Sequence, residues 1–80
     1  MKNPAVIISF GQHVRRLRQE RGYSQQALAD EADLAKQTIH RIETAQFAVT
    51  LDVLVSLSAA LRISLPDLMN FPQDSNKETE

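Results

Sequence analysis

Gln25-Gln-Ala-Leu-Ala-Asp-Glu-Ala-Asp-Leu-Ala-Lys-Gln-Thr-Ile-His-Arg-Ile42 holds two short runs of helical apolar spacing with little more than a turn between them. Ser24 offers an N-cap oxygen to a helix from Gln25 to about Ala32, whose apolar side is Ala27, Leu28 and Ala29. Asp33 ends it, since a short polar side chain tolerates the left-handed backbone of a helix stop. A second helix is expected from about Ala35 to Thr44, with Ile39 and Ile42 inward. Helices joined this tightly cross steeply, and where they cross the backbones approach closely enough to demand a small residue, here Ala29. Leu28, Leu34, Ile39 and Ile42 then fill the wedge.

Packing that wedge turns Lys36, Gln37, Thr38, His40 and Arg41 outward. The set is rich in hydrogen-bond donors and contains no acid, which suits acceptors on base edges and phosphates. Gln pairs with adenine and Arg with guanine through two hydrogen bonds each, so Gln37 and Arg41 are the best candidate base readers, with Lys36 and Thr38 beside them.

Upstream, Ser9 and Gln12 have capping-box spacing, and Phe10, Val14 and Leu17 repeat at helical intervals, so a helix is expected from Ser9 to the stop at Gly22. Residues 1–8 would then form an N-terminal arm, with Ala5 to Ile8 available to pair as a strand across a dimer. Downstream, a loop from Ala45 to Val49 leads to Thr50, an N-cap for a helix to about Leu61 with Leu51, Leu54, Leu57, Ser58 and Leu61 buried. Ile63 packs back on the core, and Ser64, Pro66 and Asp67 open a last short helix to about Asn70, before Pro72. The expected architecture is all-α, a compact five-helix domain over residues 9–71, followed by a disordered tail over 72–80 that has no apolar residue after Pro72.

Eighty residues leave no room for a second domain. Cysteine is absent, which excludes a disulfide framework and a thiolate zinc site, and two histidines do not make a metal site alone, so no cofactor is expected. The apolar segment Ala5 to Ile8 is too short for a secretory signal, and no run approaches the roughly 20 apolar residues of a membrane span, so a soluble cytoplasmic protein with no membrane partner is expected. No glycine-rich loop or nucleophile elbow accompanies the serines, so no enzyme activity is expected. The net charge of -1 is unlike that of a non-specific nucleic-acid binder, but the charge is unevenly spread. Residues 1–41 hold seven Lys or Arg against four acids, and residues 42–80 hold two against six.

The chain resembles the lambda-repressor and Cro type of helix-turn-helix protein, the XRE family. The matching residues are Arg18 in Val14-Arg-Arg-Leu-Arg18, Gly22-Tyr-Ser-Gln-Gln-Ala-Leu-Ala29, Ile39, Arg41-Ile-Glu43, Thr50-Leu51, Leu54 and Leu61-Arg-Ile-Ser-Leu65. The resemblance runs from Phe10 to about Phe71 and implies a homodimer on a two-fold-related operator in double-stranded DNA. It further implies base contacts from Lys36, Gln37 and Arg41, a phosphate contact from Gln25, and a partly buried structural ion pair between Arg18 and Glu43. His40, Gln46 and Arg15 complete the expected phosphate contacts. The chain departs from the family with Asp33, Ala45 and Val49 where Gly, Gly and Pro are usual, Ala35 where Ser or Thr is, and His40 where Ser is. Ala35 removes an expected helix cap at a cost of roughly 1 kcal/mol.

Phe47, Met69 and Phe71 lie where the domain should end and are candidates for a dimer surface. No small-molecule ligand is expected, because no sensing domain accompanies the motif. The size is shared by restriction-modification controllers, antitoxins and small phage or chromosomal repressors, and the controller type is the first reading. The competing reading is a protein-interaction module, an antitoxin-like partner, that keeps the fold without strong DNA binding. The acidic second half and the uncharged loop favour it.

Overall fold

The computed structural model describes residues 4–46 and 48–71 and contains five helices: α1 (Pro4–Glu20), α2 (Gln25–Ala32), α3 (Lys36–Glu43), α4 (Leu51–Leu61) and α5 (Leu65–Leu68). No strand occurs among the described residues. Phe47 and the tail from Pro72 to Glu80 lie outside them, as do residues 1–3.

Helix α1 begins five residues before the Ser9 start read from the capping-box spacing. Pro4 stands in the first turn, where its fixed φ is preorganised for a helix and its missing N–H costs nothing. From there Val6 continues the stripe of Phe10 and Val14 at four-residue spacing and packs against the core. Ala5 to Ile8 are therefore helical, not an extended arm, and Ser9 lies inside the helix.

The short helices follow their caps. Ser24 Oγ accepts from the Ala27 N–H at 3.0 Å, Thr50 Oγ1 from Val53 at 3.3 Å and Ser64 Oγ from Asp67 at 3.1 Å. Ala35, at the corresponding position of α3, has extended backbone and no side-chain cap. Helices α1 to α4 each close with the same reciprocal pair of backbone bonds, six-to-one and five-to-two, around a left-handed residue. Gly22 fills that position after α1, but Asp33, Ala45 and Arg62 fill it after α2, α3 and α4 with φ near 60°.

Phe10, Val14, Leu28, Ala29, Ile39, Ile42, Leu57, Leu61, Leu68 and Phe71 form the core, to which all five helices or the segment after α5 contribute. Ala29 is completely buried at the α2–α3 crossing, and a second close approach joins α1 to α3. There a Cβ built on Gly11 would stand 2.4 Å from the Ile42 carbonyl oxygen, so only glycine lets α1 sit this low on the end of α3. In α4, Leu57, Ser58, Ala60 and Leu61 are buried, whereas Leu51, expected in the stripe, is 68% exposed. Apolar residues surround α4 on nearly every side, so periodicity alone does not select the face that packs. The Ser58 hydroxyl is satisfied by donating to the Val55 carbonyl at 2.9 Å.

Phe71, expected on a dimer surface, is buried. The segment after α5 folds back on α1 and sets the Phe71 ring 5.5 Å from Phe10 and 5.6 Å from His13. An apolar ring with a vacant apolar face within reach closes the monomer core before it can serve a second chain. Met69, the other described candidate, remains exposed.

Candidate nucleic-acid interface

Helix α3 separates its apolar and polar sides more sharply than α1, α2 or α4 does. Ile39 and Ile42 are buried, Lys36, Gln37, His40 and Arg41 are exposed, and Thr38 is half-buried. This outward ridge has a shallow hollow on either side. Gln25, at the start of α2, joins Lys36, Gln37 and His40 around one hollow. Gln46 joins Thr38 and Arg41 around the other, with Leu34 and Val53 as its apolar floor. The fold thus gathers seven of the eight residues read as base or phosphate contacts onto one side of α3. Arg15 is exposed on α1 and lines neither hollow.

The acid of α3 does not share this surface. Glu43 is turned inward, with a side chain 3% exposed, and its Oε2 accepts from Arg18 Nε at 2.6 Å. Arg18 Nη2 donates to Glu43 Oε1 at 3.1 Å, and Nη1 donates to the Tyr23 carbonyl at 2.8 Å. The guanidinium fork therefore neutralises the carboxylate in a two-point contact and ties α1, the α1–α2 turn and the end of α3 together. A positively charged outer ridge results, because the negative charge nearest to it along the helix is paired and buried.

Gln25 was not expected in this network. Its Nε2 donates to Glu43 Oε1 at 3.1 Å, so the side chain that the resemblance assigns to phosphate is held by the buried carboxylate. A glutamine amide has two N–H donors, and the second remains for a ligand at the hollow. Residue type and spacing in the sequence contain no signal for this link, which depends on α2 starting beside the end of α3. Gln46 is also tethered: its Nε2 donates to Thr44 Oγ1 at 2.8 Å, and Thr44 Oγ1 donates to the His40 carbonyl at 2.7 Å.

His13 is a buried polar residue that plays no part in this surface. Its Nε2 has no hydrogen-bond partner among the described residues, and its ring lies beside Phe71. Burial lowers its pKa below the usual histidine value, with Arg16 pushing the same way, while the backbone at Asp67 and Leu68 and the Glu20 charge oppose the shift.

No cluster of three or more His, Cys, Asp or Glu able to hold a metal occurs among the described residues, and no helix among them is long and apolar enough to cross a membrane.

Two crossed short helices, with the second showing a donor-rich outer side, define a helix-turn-helix protein. The chain belongs to the helix-turn-helix family, XRE type, whose model matches residues 14–68. Among solved structures, the restriction-modification controller protein C.AhdI from Aeromonas hydrophila is 34% identical, with 78% of this chain and 94% of that one covered at a TM-score of 0.75. SinR, the master regulator for biofilm formation, solved in complex with DNA, is 32% identical, with 76% and 98% covered at a TM-score of 0.72. The hypothetical transcription factor NHTF from Neisseria, 24% identical over 90% of this chain and 83% of its own, shares the fold at a TM-score of 0.78. No match was found among curated proteins.

Proposed function

We propose that this chain is a sequence-specific transcriptional regulator that binds double-stranded DNA as a homodimer, with α3 of each copy in one of two successive major grooves about 34 Å apart. Lys36, Gln37, Thr38 and Arg41 read base edges, and Gln25, His40, Gln46 and Arg15 contact phosphates. The observation that supports this reading best is the composition of the α3 surface, which exposes Lys36, Gln37, His40 and Arg41 while its Glu43 is buried against Arg18. Likeness to C.AhdI and to SinR, the latter solved with DNA, supports the same class and makes a small controller-type regulator the preferred subclass.

Among the described residues, Met69, Ile8, Leu51 and Val55 are the exposed large apolar side chains, and Met69 also lines an apolar hollow with Ile7, Val49 and Leu54. These residues supply the surface on which a second copy docks, the role first assigned to Phe47, Met69 and Phe71. Binding occludes or recruits polymerase at a promoter, and no chemical step is catalysed.

Selection of bound sequences from a random duplex pool at two salt concentrations tests the reading. Retention should weaken steeply with salt, and Arg41→Ala should lower discrimination by roughly 1 to 3 kcal/mol at the base pairs it contacts. Retention that neither depends on salt nor enriches any sequence would favour the interaction module.

A further inference from the structure

The outer side of α1 carries Arg15 and Arg16, with Arg21 just past its end, all three exposed and without an ion-pair partner among the described residues. Arg18, the fourth arginine of this stretch, is spent on Glu43, and Glu20 is the sole acid among them. The last described residue, Phe71, packs on the same helix. Phe71 is anchored against Phe10 and His13, and Arg16 follows His13 by three residues on the same helix. With a rise of about 1.5 Å per residue, Arg16 is roughly one to two turns from the anchor.

Residues 72–80, Pro-Gln-Asp-Ser-Asn-Lys-Glu-Thr-Glu, hold Asp74, Glu78 and Glu80 against Lys77. Three residues of extended chain reach at most about 10 Å, and nine about 30 Å, which is length enough for Asp74 to reach Arg16 and for Glu78 and Glu80 to reach Arg15 and Arg21. Three free arginines and Glu20 carry +2, and the segment carries -2. We propose that residues 73–80 dock on the Arg15, Arg16 and Arg21 side of α1 and compete there with DNA phosphates for the same guanidinium groups.

Pairs this exposed are individually weak and are screened by salt, so the contact is an equilibrium that a duplex displaces. Such competition weighs more on non-specific binding, which is almost wholly electrostatic, than on an operator complex that also reads bases. The acidic segment thereby lowers retention on random DNA and sharpens the preference for the operator. This consequence rests on the DNA-binding reading above, but the docking itself does not.

The chain has no cysteine, so Ser75→Cys in the full-length protein accepts a single nitroxide label without changing its charge. At about 0.02 M salt, amide signals over residues 15–21 should lose intensity more than those of any other surface, and the loss should disappear at about 0.5 M salt. It should disappear also when Asp74→Asn, Glu78→Gln and Glu80→Gln are added, and as random duplex is titrated in. Loss spread evenly over the molecule, centred on residues 36–41, or insensitive to the three neutral substitutions would overturn the proposal. So would the same pattern in unlabelled copies mixed with labelled ones, which would assign the contact to a neighbouring molecule. If the low-salt pattern is present but no duplex binds, the docking stands and the DNA-binding reading fails.

Discussion

Replacing Glu43 by leucine removes the acceptor that three N–H donors share, two from Arg18 at 2.6 and 3.1 Å and one from Gln25 at 3.1 Å. What remains is a guanidinium whose side chain is 11% exposed and whose one described partner is the Tyr23 carbonyl at 2.8 Å. Breaking a buried pair from one side costs about 3–5 kcal/mol, and the partial exposure of Arg18 places this case near the lower figure, about 3 kcal/mol. At roughly 0.05–0.15 kcal/mol per residue, that is about half the stability of a domain this size. The melting temperature should fall by roughly 12–24 °C. Thermal melts followed by circular dichroism on the parent, Arg18→Met, Glu43→Leu and the double variant close the cycle. The double variant should be less destabilised than the sum of the single ones by at least about 2 kcal/mol, because it leaves no unpaired buried charge. The coupling should change little between about 0.1 and 1 M salt, since a pair so shielded from water is weakly screened. Additive losses, or a coupling that vanishes in salt, would refute the assignment of Arg18 and Glu43 as the buried clasp of the motif.

Three further outcomes follow from the backbone and the core. Gly11→Ala forces a methyl group against the Ile42 carbonyl, so urea midpoints should report a loss of about 1–3 kcal/mol even though alanine favours a helix. Ala45→Gly removes a side chain from a left-handed residue and Ala35→Ser supplies the missing α3 cap; each should raise stability by about 0.5–1 kcal/mol in the same assay, and the two should add. Burial lowers the pKa of His13 in the folded state below its unfolded value near 6.5, so the unfolded chain binds the extra proton more readily. The stability gained from keeping this ring neutral is complete above pH 6.5 and is lost as pH falls toward the depressed folded value, so urea midpoints should decline over that interval, and His13→Phe should flatten the decline.

Local patterns in the chain were sufficient for much of this molecule. Ser24, Thr50 and Ser64 mark three helix starts, and the structure uses each as a cap, because a hydroxyl one residue before a helix meets a free N–H whatever surrounds it. The spacing of Leu28, Ala29, Ile39 and Ile42 likewise determined the α2–α3 wedge, and with it which α3 side chains face outward. Other features depended on contacts between distant residues. Ser9 and Gln12 form a good local start signal, yet α1 begins at Pro4 with Val6 packed on the core. Leu51 and Phe71 exchanged their expected places, one left outside and one taken in, since both are apolar and only the arrangement of neighbours distinguishes them. Gln25 turned to Glu43 for the same reason. Caps and periodicity act within about one helical turn and are written in the chain, whereas the choice among several apolar or hydrogen-bonding partners is made by packing, which exists only once the helices have met.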